Sequence, residues 1–207
     1  MSAVKTTCVT NGSQDVTNGY HVNGASDTQA ESHNFALNNE YAYTPRKLRV
    51  ITIGAGFSGL LMAHKFQHRF PEMQNYINHT IFERHNELGG TWLVNTYPGV
   101  QCDVPSHIYV SIMANDRKPL SLIGLQAFPF DPNPDWSRFY SSGLEIHEYI
   151  LRMSRKWNLD RDVKLGHWVR EARWMEDRGQ WRVAVEHAGR RWEEYADVLI
   201  SGQGVLV

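Results

Sequence analysis

The twelve residues "LRVITIGAGFSG" (Leu48–Gly59) constrain this chain more than any other stretch. Val50 to Ile53, polar only at Thr52, read as a buried strand that runs straight into Gly54, Gly56 and Gly59. Glycines at that spacing suit a tight turn at Gly54, close approach of a phosphate at Gly56 and packing of a helix on the strand at Gly59. A strand–turn–helix of this kind aims backbone N–H groups and the positive end of a helix dipole at one point, where a pyrophosphate can sit. The spacing alone is weak, and its setting gives it weight. A helix over Ser58–Phe70 follows, stopped by Pro71, and then a second strand, Thr80–Glu83, that closes on an acid. Glu83, 24 positions beyond Gly59, is expected to accept hydrogen bonds from an adenosine ribose.

The rest of the chain arranges itself around that unit. Residues 1–45 hold no Trp and no Ile and repeat a short polar theme, "VTNG" at 9–12 and again at 16–19, then "VNG" at 22–24. So little apolar surface cannot offset the entropy of ordering, so a disordered tail is expected, with a dinucleotide-binding domain over 46–207. Glu87–Asp135 is loop-like, broken by Gly89-Gly90, Pro98-Gly99, Pro105 and the prolines at 129, 132 and 134. Ser142 and Glu145 have the spacing of a capping box, and Ile146, Tyr149, Ile150, Met153 and Trp157 recur at helical intervals after them. The last third alternates as strands do, giving a small antiparallel β-meander over about 168–195. A final strand, Val198–Ile200, leads into Ser201-Gly202. The fold class is therefore α/β: a Rossmann-like parallel sheet with helices, and the meander attached.

Composition excludes several function classes. With 21 basic and 22 acidic residues there is no field to attract nucleic acid. The most apolar stretch, Val50–Ala63, has 14 residues, too few for a bilayer span, and a cytoplasmic location is expected. Two cysteines, Cys8 and Cys102, make neither a disulfide framework nor a dithiol pair. His64 and His68 stand four apart, a spacing suited to metal, but no third ligand is evident and both read as surface histidines. Ser106 and His107 are adjacent, which prevents the facing geometry of a nucleophile and its base.

The segment "ERHNELGGTWLVNTYPGVQCDVPSHIY" (83–109) resembles the class B flavoprotein monooxygenases, above all the Baeyer–Villiger monooxygenases. The resemblance extends over roughly 47–109 and 127–204. It implies FAD, with NADP(H) as the reductant in the complete family enzyme, oxygenation of a ketone or related small-molecule substrate, and a fungal type of secondary metabolism. It sets Gly54, Gly56, Phe57, Ser58, Gly59 and Glu83 at the FAD pyrophosphate and ribose. Gly90, Thr91 and Trp92 would pack by the flavin, with Asp103, the candidate catalytic carboxylate, and Tyr109 near its ring system. Gln101, Cys102 and Asp103 match the stretch that meets NADP, although many bacterial members carry Arg where Gln101 stands. Val169 matches a position touching adenine, and Gly202 belongs to the returning strand-to-loop motif beside FAD.

The family's second Rossmann domain has no counterpart here, so the chain reads as the FAD half of a monooxygenase or as an FAD-binding fragment without turnover. Val110–Gln126 has no counterpart in the family either. Those 17 residues correspond to 51 nucleotides, which suggests a retained intron; a real segment would be a surface loop beside Tyr109.

Overall fold

The four apolar-rich positions before Gly54 form the centre of strand β2 (Leu48–Ile53). The chain is described from a computed structural model covering residues 5–7, 41, 44–106 and 127–204. Most of the segment expected as a tail therefore lies outside the described residues, as do Tyr109, His107 and Val110–Gln126.

β2 is flanked on one side by β3 (Ile77–Phe82), itself edged by the short β4 (Val163–Lys164). On the other side lies β8 (Val198–Ser201), and every pairing in this sheet is parallel. Parallel sheets need cover on both faces, and this one has it. Ile51, Ile53 and Phe82 pack against Val169, Ala172, Val183, Val185 and Ala196 of a second sheet. Ile81 packs on the opposite face with Ala55, Leu60, Ile146, Tyr149 and Ile150, which come from the loop after β2 and from two helices. These helices are α1 (Phe57–His64) and α3 (Gly143–Trp157); a four-residue turn, α2 (Thr91–Val94), lies between them in sequence.

The second sheet is the expected meander: β5 (Trp168–Met175), β6 (Gln180–His187) and β7 (Arg190–Ala196), paired antiparallel in that order. A three-residue strand, β1 (Lys5–Thr7), runs parallel to β5, with Lys5 opposite Glu171. The β6–β7 turn is the two-residue hairpin Ala188-Gly189, both with positive φ (49° and 78°). That geometry matches the twist of the flanking strands.

Several boundaries differ from the sequence expectation. α1 starts one residue earlier, at Phe57, and gives way at Lys65 to a wider π-type turn that reaches Arg69. β3 begins at Ile77, not Thr80, because Leu48 and Arg49 extend β2 and offer Ile77 and Asn78 a partner. The capping box forms by half: Ser142 Oγ accepts from Glu145 N at 3.3 Å, but the Glu145 carboxylate instead takes Ser137 N and Oγ at 2.8 Å each. His64 is a correction. It is buried, with its ring stacked on Phe130 at 3.5 Å, while His68 stays exposed. No group of three or more potential metal-ligating side chains occurs among the described residues.

Candidate dinucleotide site

β2 is the point where the sheet changes direction: the chain leaves it through α1 to β3 on one side, and β8 returns on the other. In open parallel sheets such a switch point opens a crevice at the carboxyl ends of the strands. Here Gly54–Ser58, Glu83, Gly89-Gly90 and Gly202 come together at that end of β2.

Each glycine meets a distinct neighbour. Gly54 has φ +97°, and a Cβ there would lie 2.6 Å from the Gly202 carbonyl oxygen. A Cβ on Gly59 would run into the Gly54 carbonyl, so α1 can begin where it does only with glycine at 59. Gly56 is the N-cap of α1, and its neighbour across the crevice is Gly90, 3.4 Å from where a Gly56 Cβ would stand. Gly90 (φ +56°) would in turn bring its own Cβ to 3.0 Å from Gly56 Cα. Two loops remote in sequence thus approach backbone to backbone.

α1 has no side-chain cap, and its first turn holds no acid. A helix begins with N–H groups that have no partner inside it, and among the described residues no side chain takes them. Phe57 is half-buried against Phe128 at 4.9 Å, while Ser58 is exposed. An anion at this end would meet free N–H groups and the positive end of the dipole.

Glu83, one residue beyond β3, is 4% exposed. Its two carboxylate oxygens accept from Ala55 N and His85 N, each at 2.8 Å. A carboxylate has about four acceptor positions, so two remain for a ligand's hydroxyls. Burial here rests on main-chain donors; no cation pairs with Glu83 among the described residues. A cavity of about 600 Å³ opens beside it, lined by His85, Asn86, Glu87, Leu93 and Val94.

The other expected site residues separate into two groups. Gly90, Thr91 and Trp92 lie on the turn that faces Gly56, with Trp92 packed at the edge of the α3 core and close to Gly143. Gly202 sits beside the cradle and donates its N–H to Ile53 O at 2.8 Å. Gln101 is exposed and bridges Ser142, Cys102 is buried with Sγ 3.1 Å from Ser106 Oγ, and Asp103 is exposed without an ion pair among the described residues. Val169 is 2% exposed inside the core between the two sheets.

Sequence reading missed two features. Gly89 (φ +139°) lies under the His147 imidazole, whose Cδ2 would be 2.6 Å from a Cβ at that position. His147, on α3, also makes a 2.8 Å hydrogen bond from Nε2 to Leu88 O. Nothing in the local sequence marks a histidine inside an amphipathic helix as a support for a loop 59 residues away.

Comparison with known proteins finds similar chains. Residues 52–120 match the family described as NAD(P)-binding Rossmann-like domain. An FAD-binding monooxygenase (tazF) of Aspergillus terreus is 43% identical over 164 residues, 79% of this chain and 26% of the relative. A Baeyer–Villiger monooxygenase of Pseudomonas aeruginosa is 31% identical over 182 residues, covering 86% of this chain and 30% of its own. Among solved structures, an oxidised steroid monooxygenase bound to NADP superposes with a TM-score of 0.57 at 26% identity, over 77% of this chain and 26% of that one. Cyclohexanone monooxygenase in its open form gives 0.56 at 27% identity, over 78% and 27%. The chain spans about a quarter of the length of the curated relatives it matches. In sequence and in fold, then, this chain is similar over most of its length to one part of the FAD-binding and Baeyer–Villiger monooxygenases.

Proposed function

We propose that the chain binds FAD across the carboxyl end of β2 and serves as the FAD-binding part of an NADPH-dependent monooxygenase acting on a small molecule. The observation that carries this reading is the pairing of an uncapped helix N-terminus with a buried carboxylate already fixed on the same loop. Both halves fit the group. The glycine cradle admits a pyrophosphate where side chains would fill the space, and Glu83 keeps acceptor positions for ribose hydroxyls. A second phosphate on that ribose would be repelled by the same carboxylate, which favours FAD over NADP in this crevice.

When bound, FAD supplies the redox and oxygen chemistry. The residues of this chain orient it. Gly56, Phe57 and Ser58 would bind the pyrophosphate with main-chain N–H groups, and Gly202 would leave room beside it. Thr91 and Trp92 would border the flavin, Val169 would lie by adenine, and Gln101 and Cys102 would lie toward NADP. Asp103 is proposed as the carboxylate acting near the flavin, and Tyr109 as its neighbour. No helix among the described residues is long and apolar enough to cross a membrane, and we assign the protein to the cytoplasm. A place in secondary metabolism belongs to the same proposal, supported by likeness to fungal relatives.

FAD titration into the apoprotein, followed by NADPH under air, tests both levels. Saturable binding with flavin reduction and oxygen uptake is the expected result for a complete monooxygenase. Binding without reduction limits the chain to holding FAD, and absence of binding overturns the proposal.

A further inference from the structure

Taking the crevice as the FAD site, we infer that His147 is a positioning residue for it, acting through the Leu88–Gly90 turn. The loop after β2 is held from two sides. Glu83 takes the Ala55 N–H at 2.8 Å, and Gly89 N donates to the Ala55 carbonyl at 3.2 Å. The first anchor is a buried carboxylate on a strand end. The second is a glycine turn with φ of +139° at Gly89 and +56° at Gly90, a backbone that does not hold its own shape. Something outside the turn has to fix it, and His147 is the side chain placed to do so. Its Nε2 lies 2.8 Å from Leu88 O, and its ring sits where a Gly89 side chain would be. Gly90 then reaches Gly56, across the mouth of the crevice.

The device has a direction. α3 is anchored in the core by Ile146, Tyr149 and Ile150, all 0–1% exposed, so the helix is the fixed partner and the turn is the held one. Because Leu88 O can only accept, the bond requires the proton on Nε2. His147 touches no reacting group; it keeps the Gly89-Gly90 wall at its distance from Gly56.

The test uses the full 207-residue chain and three variants: His147→Ala, His147→Leu, which keeps bulk without a donor, and His147→Gln, which returns an N–H near the Nε2 position. Two measurements are made on each, FAD affinity by flavin fluorescence and hydrogen exchange of the apoprotein. The expected result is about a five- to tenfold rise in Kd for His147→Leu, the effect of one lost hydrogen bond. Faster exchange at the Gly89 amide should accompany it, with β6–β7 amides unchanged, and His147→Gln should recover both. Equal affinity and equal Gly89 exchange in wild type and His147→Leu would overturn the inference. If wild type itself does not bind FAD, the functional proposal falls, and Gly89 exchange alone decides the role of His147. If His147→Ala does not fold, the Leu and Gln pair decides in the same way.

Discussion

Glu83 joins a role in the fold to its proposed role at the site. Its carboxylate satisfies the N–H groups of Ala55 and His85 inside a buried pocket. Glu83→Ala should therefore destabilise the apoprotein by about 1–3 kcal/mol, the cost of leaving buried donors unpaired. It should weaken FAD binding as well. Urea melts of the apoprotein and flavin titration read the two losses separately; an unchanged melt would mean that water replaces the carboxylate. Gly56→Val acts differently. The branched side chain would enter the gap between α1 and Gly90, so flavin retention should be lost, and a fully flavinated protein would move the pyrophosphate elsewhere. At Ala188 the gain runs the other way. A non-glycine residue at φ 49° in a type I′ position is strained, and Ala188→Asn should raise stability by about 0.5–1 kcal/mol, seen as a higher thermal midpoint.

At the scale of elements, α3 does the most joining. Its Tyr149 hydroxyl accepts from Phe128 N and donates to Asp131 O, both at 2.8 Å, while Trp157 Nε1 donates to Asp131 Oδ2 at 2.7 Å. Burial pushes the Tyr149 phenol well above its usual range, so it stays protonated and keeps donating. Tyr149→Phe removes the acceptor for a buried Phe128 N–H and should cost about 1–3 kcal/mol in a denaturant melt. The apolar positions on α3, three and four residues apart, announced the helix. Its partners could not be read in advance, because the 128–131 loop and the Leu88–Gly90 turn meet it only after the chain has crossed the sheet.

For the molecule as a whole, two histidines set the acid response. His79 is buried beside Thr52, with Oγ1 2.8 Å from Nε2, and His64 is buried against Phe130. Burial is the main cause that lowers both pKa values from 6.5 to about 4. Folded protein thus binds fewer protons than unfolded chain between those values, and stability falls as pH drops from about 6.5 to about 4. The steepest slope is about 1.4 kcal/mol per pH unit for each histidine. Glu186, paired with Arg170 and Arg191, has its pKa lowered to about 2, so its contribution is lost further down, below about 4.5. Unfolding midpoints should hold from about pH 7.5 to about 6.5 and fall from there to about pH 4.5; a flat profile would show that neither histidine is excluded from water.

The local order of strand, glycine turn, helix and acid was legible in the sequence because each step depends on neighbours a few residues apart. Val50–Ile53 must be buried, Gly54 must turn, and Ser142 must cap, whatever the rest of the chain does. The meander was legible for the same reason, through its period of two. Contacts between distant segments were not. His64 looked like a surface residue until Phe130 covered it, and Gly90 gave no sign of facing Gly56. His147 looked like one more polar position on a helix. Periodicity records which side of an element is buried; which atoms it is buried against is set only when the two sheets and the helices close around β2.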